Sequence, residues 1–357
     1  MTSAPVEPKD TITPTFSIIK SVLAVCVAIL VDRGRMNYDD LVSKHWPGFA
    51  KNGKENITIE WVLSHMAGLP YLDSQITEEM AADHNLMRKV LEDEAPKRPP
   101  GHDTAYHAFT YGWLVDQIVR HTDEKRRGIA QFLREELTEP NGIDFHICLN
   151  PTEEQRVARA TLASVPELIA EVWHEPRVAL MIFNFYSHLA FKPFYSVFVF
   201  CTRIAFTLRP NLSLINCGRV CSTVDVIQDS VISKAMANPP WKDAEGRCLV
   251  NGRIVSDKTL ELLKRPVINA TDHVLNSNTV KGHGFFYYPS LFGYEKDVMI
   301  GHPGHGCQQV MFDTKNKIAF AYMTNGLKLG IYDLCRNYMR LQTALYGILK
   351  DLNGMRA

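Results

Sequence analysis

The sequence predicts an α+β fold, in which helices come first and an antiparallel sheet follows. Three observations carry this prediction. An apolar run of helical length occupies residues 17–31, short apolar segments separated by turn residues fill the last third of the chain, and residues 334–352 have the spacing of an amphipathic helix. The chain has 357 residues, 46% of them hydrophobic and 22% charged, which suffices for a large core.

The first part of the chain is predicted to be helical. The run Ser17–Val31 is apolar on nearly every face, so we expect a buried central helix that stops at Gly34. Residues Thr58–His65 also have helical spacing, with Thr58 as the N-cap. Further helices are expected over residues 77–95, 109–121 and 129–138.

Residues 178–206 are unusually rich in apolar and aromatic side chains. His188, Lys192 and Pro193 fall in the middle of this segment and argue against a membrane-spanning helix. We interpret it as an apolar insert or lid, made of two short helices split at Pro193. Weak membrane association through residues 178–206 is the alternative.

Strands are predicted in the last third of the chain, over residues 282–288, 298–301, 309–312 and 318–324. Residues 313–316 (Asp-Thr-Lys-Asn) are typical of a hairpin turn. Residues 301–306 (Gly-His-Pro-Gly-His-Gly) are expected to form a glycine-rich turn beside a cleft, because glycine lets a backbone approach a ligand closely.

Charge and cysteine usage narrow the function classes. The 39 basic and 39 acidic residues balance, and no Lys/Arg stripe is present, so we expect no nucleic-acid partner and favour a small-molecule substrate. The eight cysteines form no C-x-x-C pair, and we favour free thiols in a reducing compartment, with a disulfide as the alternative. Residues 1–10 lack a secretory signal, which predicts an intracellular, cytoplasmic protein. The oligomeric state is not indicated.

A serine and a lysine open the buried helix in an S-x-x-K arrangement, Ser17 and Lys20. Residues three apart share one face of a helix, so the hydroxyl and the amine can meet. A serine hydroxyl needs a base to become a nucleophile, and burial disfavours the charged form of an amine, which prepares Lys20 to accept the proton. Taken alone, the pair is close to a chance match, and a capping serine with a solvent-directed lysine is the alternative.

Two further segments carry candidate chemistry. Tyr106 follows a Pro-Gly loop and precedes a helix, where a phenol can act as a proton relay beside a lysine; a core tyrosine is the alternative. His302 and His305 stand in the glycine-rich turn, but no H-E-x-x-H or H-x-H-x-D pattern accompanies them, so we predict no metal and no cofactor.

Four segments resemble, in order, motifs of class C β-lactamases and family VIII carboxylesterases. They read TFSIIKSVLAVCVAILVDRGRM, ITIEWVLSHMAGLP, PGHDTAYHAFTYGWLVDQIV and GHPGHGCQQVMFDTKNKIAFAYMTNGL. The resemblance covers residues 13–149 and 250–327. It implies a β-lactamase/transpeptidase-like fold, an antiparallel sheet flanked by helices with a helical lobe, and one such domain over residues 13–352 behind a polar N-terminus at residues 1–12.

The resemblance also implies roles for individual residues. Ser17 would be the acylated nucleophile, Lys20 would assist proton transfer, and Tyr106 would be the general base and later the acid. His302 and Gly304 would line the substrate channel. The backbone N–H groups of Ser17 and His305 would form the oxyanion hole.

Three departures from the family pattern refine these expectations. Ala108 stands where β-lactamases have an asparagine, and His302 where they have a lysine, which favours an esterase-like hydrolase of esters or amides over a true β-lactamase. Only 16 residues precede Ser17, where the family usually has several dozen that contribute strands. We therefore expect the N-terminal strands to be missing, as in a truncated isoform, and keep a catalytically inactive scaffold of the same fold as the alternative.

Overall fold

The computed structural model describes residues 11–149, 156–158, 160–181, 183, 226–227, 254–289 and 298–354. The helices are α1 (Ile19–Asp32), α2 (Val42–His45), α3 (Ile59–Leu63), α4 (Glu78–Ala82), α5 (His84–Asp93), α6 (Thr110–Thr122), α7 (Ile129–Leu133), α8 (Val165–His174), α9 (Asp257–Leu263) and α10 (Arg336–Gly354). The strands are β1 (Thr13–Pro14), β2 (Phe145–His146), β3 (Thr161–Leu162), β4 (Val226–Ile227), β5 (Ile268–Asp272), β6 (Ser277–Gly282), β7 (Phe285–Pro289), β8 (Val298–Gly304), β9 (Gln308–Asp313), β10 (Ile318–Tyr322) and β11 (Gly326–Leu327).

The main sheet is an antiparallel meander of six strands in the order β10-β9-β8-β7-β6-β5. The predicted α+β class is therefore confirmed. All six strands lie within residues 268–322, and none of the described residues before Ser17 adds a strand to this sheet. β1 pairs instead with β4 in a separate small sheet.

Helix α1 forms the centre of the molecule, as its all-round apolar sequence predicts. Eleven of its fourteen residues are buried, and it packs against α6, α7 and the strands β7 and β8. Gly34 ends it in the left-handed region at φ +68, with its N–H donating to the Val31 carbonyl at 2.9 Å. One hydrophobic core thus joins the helices to one face of the sheet.

The single helix expected over residues 77–95 is wrong, because the chain breaks at Asp83. This residue has an extended backbone, and its carboxylate accepts hydrogen bonds from the N–H groups of Asn85 (2.7 Å) and Leu86 (3.2 Å). A side chain that satisfies the first free N–H groups of a helix starts a new one. The segment therefore forms two helices, α4 and α5.

The strand expected over residues 282–288 is also wrong, since a turn divides it. His283 and Gly284 both have positive φ, +53 and +90, as the residues of a tight hairpin turn do. They join β6 to β7. Strand β5 was not predicted, because its alternating half-exposed residues include Asn269 and Thr271, which lack an apolar signal.

The glycine-rich turn expected at residues 301–306 begins later than predicted. His302, Pro303 and Gly304 belong to β8 and pair with Val310, Gln309 and Gln308 of β9. Pairing of β8 with β7 ends at Gly301, so Pro303 has no strand of this sheet on its β7 side. A proline there, which has no N–H, breaks no hydrogen bond to β7. The turn itself comprises His305, Gly306 and Cys307.

The expectation of free thiols is wrong for three described cysteines, Cys148, Cys307 and Cys335, each of which is disulfide-bonded. Cys307, in the turn after β8, forms a disulfide with Cys335, which precedes α10. The sequence places them 28 residues apart, and only the fold of β9 and β10 brings them together. Cys26 of α1 is a buried free thiol, as its apolar surroundings predicted.

The predicted apolar insert, residues 178–206, lies outside the described residues except for 178–181 and 183. Among these, Val178 is buried, whereas Leu180 and Phe183 are exposed. None of the helices in the described ranges has the length and apolar character to cross a bilayer.

Candidate active site

Ser17 lies in a single 3₁₀ turn, Phe16–Ile18, that leads directly into α1. Phe16 has a positive φ of +50, and the Ile18 N–H donates to the Thr15 carbonyl at 3.3 Å. The hydroxyl therefore stands at the N-terminal end of the helix, where free N–H groups favour a developing negative charge. The sequence predicted that the helix begins at Ser17, whereas α1 begins at Ile19, after this turn.

Lys20 is the second residue of α1 and is buried. Its Nζ donates to Ser17 Oγ at 3.4 Å, and it lies 5.0 Å from the ring centre of Tyr106 and 6.0 Å from that of Tyr111. The amine thus lies between two phenols and beside the hydroxyl. The structure brings Ser17 and Lys20 together as the S-x-x-K spacing predicted.

Tyr106 completes a group of three polar side chains. Its ring is buried, and its phenol lies beside the Ser17 hydroxyl. Burial raises the pKa of this phenol above its ordinary range, the Ser17 hydroxyl lowers it in part, and the Asp272 carboxylate adds a further rise. At neutral pH Tyr106 is therefore a neutral phenol that can donate a proton.

Two histidines that sequence reasoning missed hold the loop of Tyr106. The His65 carbonyl accepts a hydrogen bond from the Ala105 N–H at 3.0 Å, and the His65 ring Nδ1 accepts one from the His107 N–H at 3.0 Å. The His65 ring also packs against that of Tyr106, with 4.6 Å between centroids. His65 belongs to the LSHMAGLP segment, and this motif was the available signal.

His107 fastens the same loop from the other side. Its Nδ1–H donates to the Ala105 carbonyl at 2.7 Å, and its Nε2 accepts from the Leu69 N–H at 3.2 Å. This pattern requires the neutral ring. Burial lowers the pKa of His107 to about 3 and that of His65 well below its ordinary value, so both are uncharged at neutral pH.

His302 faces the same group from strand β8. Its ring lies 6.1 Å from that of Tyr106, and its Nδ1–H donates to the Pro303 carbonyl at 2.7 Å. Burial, and secondly the charge of Lys20, lowers the pKa of His302 to about 3. It supplies no positive charge at neutral pH. Within the described ranges, no cluster of three or more His, Cys, Asp or Glu side chains is placed to hold a metal ion.

Gly304 and His305 lie against the serine turn. A Cβ on Gly304 would stand 2.6 Å from the Thr15 carbonyl oxygen and 3.3 Å from Ile18 Cγ1, so only glycine permits this approach. The His305 ring meets that of Phe16 edge-on at 5.3 Å. The backbone of residues 304–305 therefore lies beside the serine turn, and the oxyanion hole of the Ser17 and His305 N–H groups stays a prediction.

Replacing Gly304 with alanine is expected to damage activity more than stability. The new methyl group must push β8 away from the serine turn, which we expect to cost about 1–3 kcal/mol of unfolding free energy. A shift of about 1 Å at the site is expected to lower kcat about 100-fold. Urea unfolding and ester turnover measure the two effects. Gly347→Ala is the control, because a Cβ there meets no atom within 4 Å; equal loss in both variants would contradict the prediction.

Comparison with known proteins shows the family to which this chain is similar. A family model described as Beta-lactamase matches residues 1–344. The curated relative Esterase/beta-lactamase LipL of Mycobacterium tuberculosis is 36% identical over 145 residues, which are 40% of this chain and 33% of that protein. Protein flp of Staphylococcus aureus is 29% identical over 115 residues, 29% of this chain and 22% of the relative. The chain thus matches a third or less of the length of these curated relatives.

Several solved structures have the same fold. EstA from Arthrobacter nitroguajacolicus superposes with a TM-score of 0.74 at 20% identity, over 99% of this chain and 88% of that chain. A family VIII carboxylesterase gives 0.72 at 22% identity, over 94% and 83%. A penicillin-binding-protein homologue from Caulobacter crescentus gives 0.68 at 24% identity, over 92% and 81%. At these identities the likeness concerns the fold.

Proposed function

The chain belongs to the beta-lactamase family, and on that basis we propose that it is a serine hydrolase that cleaves an ester or amide through an acyl-enzyme on Ser17. One observation carries the proposal. Ser17 Oγ receives a hydrogen bond from Lys20 Nζ at 3.4 Å, and the Tyr106 phenol lies beside both, its ring centre 5.0 Å from that Nζ. A nucleophile, a base and a proton donor are thus within reach of one another.

The proposed reaction has two halves. In the first, the deprotonated form of Lys20 takes the Ser17 proton while Oγ bonds to the substrate carbonyl carbon, and the N–H groups of Ser17 and His305 stabilise the oxyanion. The carbon–oxygen or carbon–nitrogen bond then breaks, and Tyr106 donates a proton to the leaving group. In the second, water attacks the acyl-enzyme, the same groups move its proton, and the acid and free Ser17 are released.

The substrate is proposed to be an uncharged ester in preference to a β-lactam. A β-lactam carries a carboxylate, which needs a cation in the site to offset its desolvation. His302 is neutral at pH 7, Lys281 is already paired with Asp272, and Lys20 must be deprotonated to act as the base in the proposed reaction, so none of the three offsets a substrate carboxylate. Ala108 has no amide for a β-lactam side chain. The relative LipL carries both activities in its name, so the two must be compared directly.

A labelling and turnover experiment tests this function. We expect a fluorophosphonate probe to modify the folded chain at Ser17, identified by mass spectrometry of the labelled peptide. We also expect kcat/KM for a p-nitrophenyl ester to exceed that for a chromogenic β-lactam by about 100-fold or more, because one charge-assisted contact and one amide hydrogen bond are absent. No labelling and no turnover in folded protein would favour the inactive scaffold. Faster β-lactam cleavage would reverse the substrate preference.

A further inference from the structure

A buried ion pair lies next to the Tyr106 loop. Lys281 Nζ contacts the Asp272 carboxylate, and the two side chains are 1% and 0% exposed. Taking two charges out of water costs several kcal/mol each, and such a pair contributes little net stability compared with apolar side chains of the same size. Its position therefore needs a reason other than stability.

Asp272 joins the end of strand β5 to the loop that carries Tyr106. Its Oδ1 accepts from the Tyr106 N–H at 3.1 Å, and its Oδ2 accepts from Thr104 Oγ1 at 3.2 Å. The backbones meet as well, since the His273 N–H donates to the Thr104 carbonyl at 2.9 Å. Hydrogen bonds to a carboxylate are shorter and stronger than those between neutral groups. The loop is thus fastened at the residue whose phenol contacts Ser17.

Asp272 is itself held rigidly. Its Oδ1 also accepts from the N–H groups of Val274 (2.8 Å) and Leu275 (2.9 Å), which fixes the carboxylate at the end of β5. Lys281 donates to Thr104 Oγ1 at 2.7 Å, so the cation bridges the carboxylate and the loop. Burial alone would raise the pKa of Asp272, but the cation and these N–H groups lower it below its ordinary value. The carboxylate stays ionised.

We propose that Asp272, paired with Lys281, is a positioning residue that holds the Tyr106 phenol beside Ser17, an inference that rests on the proposed serine hydrolase function. Neither side chain touches the substrate in this proposal. Sequence reasoning missed both residues, because 166 positions separate Asp272 from Tyr106. Their separation also explains why the tie must be a specific side chain and not a local turn.

Two double variants separate positioning from stability. Both carry Lys281→Met, so that no unpaired cation stays buried, and they differ only in the acceptor for the Tyr106 N–H. Asp272→Asn/Lys281→Met keeps an oxygen at this place, and we expect kcat for a p-nitrophenyl ester within about tenfold of the wild type. Asp272→Ala/Lys281→Met removes it, and we expect kcat to fall about 100-fold while KM changes less than about threefold.

A second buried pair provides the matched control. Arg127 and Asp123 are 4% and 5% exposed and lie at the end of α6, away from the Tyr106 loop. We expect Asp123→Ala to lower thermal stability while kcat per folded molecule stays within about twofold. Equal kcat for the Asn and Ala double variants, or an equal kcat loss in Asp123→Ala, would overturn the positioning role.

Thr104 offers a milder test of the same contact. Should Asp272→Ala/Lys281→Met not fold, Thr104→Val keeps the side-chain shape and removes one bond to Asp272 and one from Lys281. We then expect kcat to fall about tenfold, and an unchanged kcat would overturn the proposal. Absence of wild-type turnover and labelling would instead refute the proposed function itself.

Discussion

Replacing Ser17 with alanine is expected to lower ester turnover by about 10⁴-fold or more and to abolish fluorophosphonate labelling. The hydroxyl is the group within hydrogen-bond reach of both Lys20 Nζ and the Tyr106 phenol, so its removal leaves the base and the donor without a nucleophile. Binding and the N–H groups at the start of α1 would supply the residual rate. Steady-state kinetics with a p-nitrophenyl ester measures the loss.

Ser21 provides the control for this prediction. It lies one turn further along α1, is buried, and donates its hydroxyl to the Ile18 carbonyl at 2.7 Å. We expect Ser21→Ala to keep labelling and to change kcat by less than about threefold, since the lost bond is local. Turnover that survives in Ser17→Ala but disappears in Ser21→Ala would place the nucleophile elsewhere.

We expect acid to destabilise the protein at a higher pH than the protonation of carboxylates alone would require, because buried neutral histidines become charged on unfolding. His65, His107 and His302 are buried and neutral, and the pKa is about 3 for His107 and His302 and well below 6.5 for His65. In the unfolded chain each has a pKa of about 6.5. Between these values the unfolded state binds more protons, so stability is complete above pH 6.5 and is lost as pH falls toward 3.

The size of this effect follows from the number of protons. His107 and His302 together give a slope of about 3 kcal/mol per pH unit, and at pH 5 each has cost about 2 kcal/mol; His65 adds to the loss in the same direction. Because domains are stable by about 5–15 kcal/mol in total, we expect a large part of the stability to be lost by pH 4. Urea unfolding at several pH values measures the slope.

Single replacements test which groups titrate. We expect His107→Gln to reduce the slope by about one proton, since the amide keeps a donor and an acceptor but does not titrate in this range. His84→Gln, at an exposed position, is the control. Equal stability of the wild type at pH 5 and pH 7.5 would contradict the prediction.

Local sequence signals predicted the first half of the site, and long-range contacts supplied the rest. Ser17 and Lys20 are three residues apart on one helix, so spacing alone brings them together. Gly34 ended α1 as predicted because a left-handed C-terminus favours glycine at any sequence context. These features depend on backbone geometry within a few residues.

The remaining features depend on residues that are far apart in the chain. No sequence pattern near Tyr106 predicts its contact with Asp272, and no spacing rule predicts the disulfide between Cys307 and Cys335. The extent of β8 was missed for a related reason. Gly301 and Gly304 suggested a turn, but they are small because Val310, Met311 and the Thr15 carbonyl press against them. A glycine needed for close packing and one needed for a turn look alike in a single sequence.

The continuity of the serine turn with α1 has a mechanical consequence. Ser17 and Lys20 belong to one unbroken helical run, whereas Tyr106 is attached to the end of β5 and His305 follows the end of β8. A small relative movement of helices and sheet would therefore change the distances from Ser17 to Tyr106 and His305 more than the Ser17–Lys20 distance. In the proposed mechanism, the contact between nucleophile and base would be the least sensitive to such a movement.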